Sequence, residues 1–367
     1  MYFNRNCLYI FLNLTAVFVI SLTEAHEQCI IREFFQIAEV IERCKNITVS
    51  NLEVPANVTL DFDLQTGSTL TFEGLTLFKN ATWVGPLIRF RGSQILVQGA
   101  IGSLLDGQGT LYWDGMGGNG GVTKPYFFQI ETTGGSVFKN INLLNCPHHC
   151  VIISSTDLTI TGWNVDVSAG DKGNLGHNTD GFDVIYGENI VIENSIVKNQ
   201  DDCVAINRGK NMFISNLRCS GGHGISLSVG FSHRSYKHNT VHNVTFTDCV
   251  VARSENGIHV KTHNDGYLGE IKNVTYKNIE FVDILNYGVN VQQDYANGTS
   301  TGNPKSNIPI TNLSLINVFG NVKGSHATGV YILCGSVGCI DWNWSEISIT
   351  GAKRDDSCNY VPSGYQC

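Results

Sequence analysis

The chain has 367 residues, of which 42% are hydrophobic and only 15% charged, with 39 glycines and 7 prolines. This length permits a large buried core, and the even composition predicts one elongated domain over residues 26–367. The formal net charge of −8, with no basic run, argues against nucleic acid as a partner.

Residues 1–25 have the features of a secretory signal peptide. A single basic residue, Arg5, precedes an apolar run from Leu8 to Ile20, and small residues at 23 and 25 fit a cleavage site. The apolar run is too short to span a bilayer comfortably, and no later apolar stretch is long enough. We therefore expect an exported, extracellular protein without a membrane partner.

The first predicted element of the mature chain is a short amphipathic helix in "QCIIREFFQIAEVIERC", residues 28–44. Cysteines stand near both ends of this segment. Its apolar stripe, at helical spacing, consists of Ile31, Phe34, Phe35, Ala38 and Ile41. Such a helix would cover one end of the fold and protect an exposed sheet edge.

Beyond residue 45 the chain repeats one pattern, a small or polar residue followed by apolar, variable and apolar residues. The pattern starts at residues 149, 180, 202, 223, 256, 287 and 328, and a second apolar strand starts at 157, 189, 211, 243, 273 and 312. Two short strands per repeat, with Asn and Gly at the corners, are typical of a right-handed parallel β-helix. Each coil of this all-β solenoid buries its apolar face by stacking on its neighbours.

Aligning the repeats places Asp180, Asp202 and His223 at one corner of consecutive coils, with Asp201 beside Asp202. Carboxylates this close cannot all be ionised cheaply, so at least one carboxyl pKa should rise. A protonated acid beside ionised carboxylates suits hydrolysis of a glycosidic bond, because one group protonates the leaving oxygen and another activates water.

Period-two alternation points His259 and Lys261 outward on the same sheet, one coil beyond His223. Structural alternatives exist for each residue taken alone. Asp183 is by itself typical of a turn, adjacent aspartates can bind calcium, and His259 is about as often structural as functional. The alignment of four functional groups favours catalysis, with no metal site and no organic cofactor.

Four motifs carry a resemblance to a known family: "NTD" at 178–180, "QDDC" at 200–203, "GHG" at 222–224 and "QDYANG" at 293–298. In these motifs the chain resembles the polygalacturonases, glycoside hydrolases that cleave the α-1,4-galacturonan backbone of pectin. It is most similar to fungal-type endo-acting members. The likeness continues in "DGQGTLYWDG" at 106–115, "YILCG" at 331–335 and the carboxy-terminal "CNYVPSGYQC".

The resemblance implies a role for each catalytic candidate. Asp201 is similar to the general acid, and Asp180 and Asp202 to the pair that activates water with inversion at the anomeric carbon. His223 is similar to the histidine that keeps the proton donor in its working state. Coils about 4.8 Å apart place these carboxylates closer than the roughly 6.5–9.5 Å expected for inversion. We follow the resemblance, since water shared by two carboxylates beside the acid needs no wide gap.

The same resemblance implies the substrate-binding residues and the partners. Lys261 matches a lysine that holds a substrate carboxylate, Tyr295 a tyrosine of the cleft, and Asn178 a residue near the site. The expected partner is pectin or polygalacturonate, with plant inhibitor proteins as further candidates for a monomeric enzyme. A pectate lyase on the same fold is disfavoured by the hydrolase motifs.

Two positions depart from the family pattern. His259 stands where the family has arginine, so we expect a substrate-binding cation that is charged only at acidic pH. The stretch "GHGISLSVG" is one glycine shorter after His223. These departures leave open a shifted specificity, or a catalytically silent protein that binds pectin or acts as a decoy for inhibitors.

Cleavage after residue 25 leaves eleven of the twelve cysteines, and an exported chain favours disulfides over structural zinc. The resemblance implies Cys29–Cys44, Cys203–Cys219, Cys334–Cys339 and Cys358–Cys367. Of the remaining three, Cys146 and Cys150 can pair locally. Cys249, among apolar neighbours, is the candidate for a buried, inert thiol. Eight sequons are candidate glycosylation sites, at Asn46, Asn57, Asn80, Asn243, Asn273, Asn297, Asn312 and Asn343.

Overall fold

A computed structural model describes residues 29–296 and 298–367, so the predicted signal peptide and the Asn297 sequon lie outside the described residues. The described residues form a right-handed parallel β-helix, which confirms the predicted fold class. No helix in this part of the chain has the length and apolar character needed to cross a membrane.

The amino-terminal helix is shorter than predicted. Residues 30 and 31 form a β-strand, and a 3-10 turn over Phe34–Gln36 leads into the α-helix Ile37–Arg43. A disulfide between Cys29 and Cys44 joins the two ends of the segment.

The predicted apolar stripe of this helix is wrong for two of its members. Phe35 is 81% exposed and Ala38 is also exposed, whereas Ile37 and Val40 are buried on the first coil. The strand Ile30–Ile31 pairs with residues 48 and 49, so the helical turns begin later and present a different face. Among the described residues, further 3-10 segments are Gly109–Leu111, Ser168–Asn174 and Tyr236–Asn239.

The strands run in chain order along the solenoid. The first coils contain Ile30–Ile31, Asn46–Ser50, Glu53–Val54, Leu60–Asp63, Thr69–Glu73, Leu75–Phe78, Ile88–Ser93, Leu96–Gly99 and Leu104–Asp106. The middle coils contain Phe128–Thr133, Ser136–Lys139, Asn142–Leu144, Val151–Thr161, Asn164–Asp166, Phe182–Glu193, Ile196–Lys198, Asp202–Ile206, Gly209–Ser215, Arg218–Ser220 and Gly224–Val229. The last coils contain Thr240–Ala252, Asn256–His263, Glu270–Ile284, Tyr287–Ala296, Thr299–Ser300, Ile310–Val322, Thr328–Leu333, Cys339–Ile340, Asn343–Thr350 and Ser357–Cys358.

Most coils have a third strand that the two-strand repeat did not predict. In the middle coils this series comprises Asn142–Leu144, Asn164–Asp166, Ile196–Lys198 and Arg218–Ser220, which pair in parallel. Each of these strands buries only its central residue. A single buried residue produces no alternation, so the apolar pattern could not reveal the strand.

The core lies inside the coils and consists of the inward residues of successive strands. Phe62, Phe90 and Phe128 stack in consecutive coils with ring centroids 5.0 and 5.1 Å apart. Phe182 and Val184 continue this column and are fully buried. Hydrogen bonds between strands set the spacing of the coils, and offset aromatic stacking and apolar burial stabilise the stack.

The strand register confirms the repeat alignment with one local difference. Phe182 pairs with Val204, and Ile225 pairs with both Val204 and Ile258. A register shift between Asp202 and Val204 places Asp202 opposite Gly224. His223 therefore lies beside Asp201, not in line with Asp202 as the alignment predicted.

Asparagine occupies one corner of the solenoid, as expected from the repeat. In this row, the asparagine ladder, each Nδ2 donates a hydrogen bond of 2.8–3.0 Å to the preceding side chain. Its members are Asp157, Asn189, Asn211, Asn243, Asn273 and Asn312. All have φ between 54° and 57°, a left-handed conformation that Asn and Asp adopt more readily than other side chains.

The predicted disulfides are confirmed, and Cys146 pairs with Cys150. Cys249 is free and buried among the described residues, as expected. Burial raises the pKa of its thiol to about 11, so the group stays protonated and unreactive at neutral pH.

Candidate active site

An open cleft of about 700 Å³ lies over the sheet that contains the aspartates. Asp180, Asp201 and Asp202 line it together with His223, Lys261 and Tyr295. Its remaining walls include Asn119, His149, His177, Asn178, Asp183, Arg208, Phe231, His238 and His263. The structure thus brings the predicted carboxylates to one face, with imidazoles and cations around them.

Backbone hydrogen bonds between coils fix the position of Asp180. Its carbonyl oxygen accepts a bond of 2.8 Å from the Cys150 amide, and the Gly181 amide donates a bond of 2.9 Å to the Asp202 carbonyl. Asp180 is 7% exposed and Asp202 is 2% exposed. The backbone hydrogen bonds between coils that hold the fold together therefore also position these two side chains.

Asp202 is held by two donors from the next two coils. Ser226 Oγ donates to Asp202 Oδ1 over 2.6 Å, and Lys261 Nζ donates to Asp202 Oδ2 over 2.9 Å. Burial opposes the charge on Lys261, but Asp202, Tyr295 and Asp201 together outweigh it and raise the lysine pKa. This pair is consequently a buried salt bridge in the floor of the cleft.

Asp201 forms an ion pair with His223, whose Nδ1 lies 3.0 Å from Asp201 Oδ1. Burial disfavours the charge on Asp201, yet the His223 cation and its hydrogen bond lower the pKa of the carboxyl well below its usual range. Burial likewise opposes the charge on His223, but Asp201 and Asp202 raise the pKa of the imidazole to about 9. In the free protein the proton of this pair resides on His223.

Asp180 behaves in the opposite way. Burial is the main cause that raises its pKa, and repulsion from Asp201 adds to it, while His149 acts against both. The prediction that at least one carboxyl of the cluster has a raised pKa is therefore confirmed.

Asn178 connects a surface loop to the catalytic candidates. Its Nδ2 donates to Asp201 Oδ2 over 3.2 Å, and its Oδ1 accepts a bond of 2.9 Å from the Gly118 amide. Its φ of 51° is left-handed. Tyr295 packs on the other side of the cleft, with Lys261 Nζ 5.2 Å from its ring centroid. Asn178, Lys261 and Tyr295 all reach the cleft as predicted.

His259 differs from expectation. It is 7% exposed and does not line the cleft; its Nδ1 lies 3.4 Å from Asn256 Nδ2 and its Nε2 lies 3.3 Å from Gln292 Nε2. Burial and the neighbouring Lys261 and His223 cations lower its pKa well below the usual value. The expectation that His259 supplies a cation at mildly acidic pH is therefore wrong for the free protein.

His149 and Asp183 are functional candidates that the sequence interpretation missed. His149 Nε2 lies 3.6 Å from Asp180 Oδ1, and His149 Nδ1 lies 2.9 Å from Asp183 Oδ2. Asp183 belongs to the strand Phe182–Glu193, so the turn that its residue type would favour in isolation is not formed here. The signal for His149 was available, because one repeat starts at residue 149 and the alignment sets this histidine against Asp180.

Asp201, Asp202 and His223 also have ligand atoms within 4.8 Å of one another, close enough to be tested as a metal site. Ser226 and Lys261 donate to Asp202, and His223 donates to Asp201. Proton donors thus already occupy these oxygens. The set fits proton transfer better than a cation site built from free carboxylate oxygens.

Buried carboxylates with opposite pKa shifts, in an open cleft of a parallel β-helix, fit a hydrolase that cleaves glycosidic bonds. Residues 44–367 match the model for glycosyl hydrolases family 28, and the chain belongs to this family.

Relatives and a solved structure resemble the chain over most of its length. It is 52% identical over 361 residues to a polygalacturonase of Phaedon cochleariae, covering 97% of this chain and 98% of that protein. It is 43% identical over 341 residues to endopolygalacturonase I of Aspergillus niger, covering 92% and 91%. Endopolygalacturonase I of Stereum purpureum, solved with two galacturonates, superposes with a TM-score of 0.83 at 34% identity, covering 92% of this chain and 100% of that one.

Proposed function

We propose that the protein is an exported endo-polygalacturonase that hydrolyses α-1,4-galacturonosyl linkages within polygalacturonate, with residues 1–25 as its signal peptide. The observation that carries this proposal is the meeting of Asp180, Asp201 and Asp202 in one cleft, with Lys261 as a buried cation among them. A galacturonan chain is a polyanion, so a buried cation in the cleft suits it as a substrate. The relatives of this protein named above are polygalacturonases.

In this proposal Asp201 and His223 act together as the proton donor. In the free protein the pair is ionic, with Asp201 charged. Substrate that covers the cleft excludes water, which raises the pKa of a carboxyl and lowers that of an imidazole. Both changes move the proton from His223 to Asp201, from which it passes to the leaving glycosidic oxygen.

Asp180 and Asp202 orient the attacking water on the other side of the scissile bond, and Asp180 accepts its proton. Ser226 and Lys261 hold Asp202 in one orientation, which suits a group that positions water. Attack by water without a covalent intermediate inverts the anomeric carbon. Proton NMR of the first products distinguishes this outcome, since an inverting enzyme releases the β-anomer from an α-linkage.

Lys261, Tyr295 and Asn178 are the proposed substrate contacts. Lys261 offers a positive charge to a galacturonate carboxylate, and the ring of Tyr295 offers an apolar wall beside it. All of these groups come from one chain, so a monomer contains the complete site.

Polygalacturonate solutions test the activity and its mode together. An endo enzyme lowers viscosity faster than reducing ends accumulate, whereas slow viscosity loss with monomer release would indicate exo action. Unsaturated products absorbing in the ultraviolet would indicate a lyase. Binding without any new reducing ends, from acidic to neutral pH, would instead support a silent pectin-binding protein.

A further inference from the structure

His149 lies in a segment whose backbone is fixed on both sides. The Cys146–Cys150 disulfide closes the loop that contains it. Its carbonyl oxygen accepts a bond of 3.0 Å from the Phe127 amide, and the next amide, of Cys150, donates to the Asp180 carbonyl. The backbone therefore holds the Cα of His149 in a fixed position, one coil away from Asp180.

Both ring nitrogens of His149 face carboxylates. Nδ1 lies 2.9 Å from Asp183 Oδ2, within hydrogen-bond distance, and Nε2 lies 3.6 Å from Asp180 Oδ1. Only an imidazolium can donate from both nitrogens at once. This arrangement favours the charged form and orients its second N–H toward Asp180.

The other neighbours of His149 also favour a cation. The ring of His148 stacks on it with centroids 4.5 Å apart, and the ring of Tyr126 meets it edge to face at 5.4 Å. Burial, His149 and Lys124 lower the pKa of His148 to about 3, so the stacked partner is neutral. A cation over a neutral aromatic face is an attractive contact.

The charges around His149 agree with this geometry. Burial opposes its protonation, but Asp180, Asp183 and the more distant Asp201 raise its pKa to about 10. The imidazolium in turn opposes the burial and the Asp201 charge that raise the pKa of Asp180. Removing this cation would leave Asp180 harder to ionise.

We propose that His149 is a positioning residue for the proposed hydrolysis, which favours the ionised form of Asp180, the form that can accept the proton of the attacking water. Asp183 serves as its anchor by fixing Nδ1. The cation thus makes it easier to charge a third carboxylate beside Asp201 and Asp202. This inference rests on the proposed function and assigns a role to a residue outside the aspartate set.

The pH dependence of kcat/KM on polygalacturonate tests the inference, because its acid limb reports the ionisation of the base in the free enzyme. Two neutral variants, His149→Gln and His149→Asn, should move the acid limb to higher pH by about one unit. Their kcat should fall more than their KM rises, since His149 acts through Asp180. His149→Lys retains a cation and should bring the limb back toward its wild-type position.

His242→Gln is the matched control. His242 also pairs with a carboxylate, its Nε2 lying 2.7 Å from Glu270 Oε1, but it is not among the residues that line the cleft. Its acid limb should coincide with that of the wild type.

An active wild type whose acid limb stays in place in folded His149→Gln or His149→Asn protein would overturn the inference alone. An equal limb position in His149→Lys and His149→Gln would also overturn it, since charge would then be irrelevant. A wild-type protein that releases no reducing ends would overturn the proposed function as well.

Discussion

Lys261 and Asp202 form a buried salt bridge of 2.9 Å although 59 residues separate them in the chain. Their side chains are 7% and 3% exposed. Strand stacking brings them together, since Asp202 lies in the strand Asp202–Ile206 and Lys261 lies two coils further on, in Asn256–His263. The pair therefore connects the stability of the solenoid to the geometry of the cleft.

Replacing Lys261 with methionine should destabilise the fold by about 3–5 kcal/mol, because it leaves the Asp202 carboxylate buried and uncompensated. Denaturant unfolding at neutral pH measures this free energy. Lys210→Met is the control, since Lys210 lies 3.0 Å from Glu188 in an exposed pair that contributes about 0–1 kcal/mol. Equal stability of the two variants would show that the buried pair has no special weight.

Asp201→Asn should abolish most hydrolysis while keeping the fold. Asparagine preserves the shape of the side chain but cannot donate an acidic proton, so kcat should fall by roughly 10²–10⁴-fold or more. KM for polygalacturonate should change little. Asp157→Asn, in the asparagine ladder, removes a carboxylate far from the cleft and should retain full activity. Full activity of Asp201→Asn would refute its role as the acid.

Repetition explains how much of this fold the sequence predicts. An apolar pair such as Phe182 and Val184, or Ile258 and Val260, recurs from coil to coil. These pairs correctly predict the register of the cleft strands. The third strand series buries a single residue per strand and so has no period to detect. The register shift after Asp202 also has no sequence signature. Because of this shift, His223 lies beside Asp201, which the alignment did not predict.

In the site, the sequence predicts the positions of the carboxylates but not the charges of the histidines. Carboxylates in apolar strands stand out in the sequence because a sheet rarely buries them. This feature allowed the prediction that the aspartates lie together on one face. The charge of a histidine depends instead on which groups surround it in space. His259 lies near Lys261 and stays neutral, whereas His149 lies near Asp180 and Asp183 and is charged. Spacing along the chain cannot distinguish these two environments.

The pairing of His223 with Asp201 should appear in the pH dependence of stability. The pKa of His223 rises to about 9 in the folded protein, above the roughly 6.5 of an unfolded histidine. Its contribution is therefore complete below about pH 6.5 and disappears as the pH rises through about 9. The stability difference between wild type and His223→Gln should be largest at mildly acidic pH and decrease over this window. A difference that grows with pH would contradict the assignment.

The asparagine ladder offers a test of the fold that is independent of the site. Asn243 donates to Asn211 and accepts from Asn273, each over 3.0 Å, and its φ is 55°. Asn243→Ala loses both bonds and also strains a left-handed backbone, so it should destabilise the protein by about 2–4 kcal/mol.

Asn243→Gly separates these two causes, because glycine adopts positive φ without strain but makes no side-chain bond. We expect it to cost about 1–2 kcal/mol. Expression in a host that does not glycosylate removes any effect of losing the sequon at this position. Denaturant unfolding of both variants then separates the loss of hydrogen bonds from the backbone strain. If the glycine variant were less stable than the alanine variant, backbone strain would be absent. If neither variant lost stability, the asparagine ladder would not contribute to the stability of the coils.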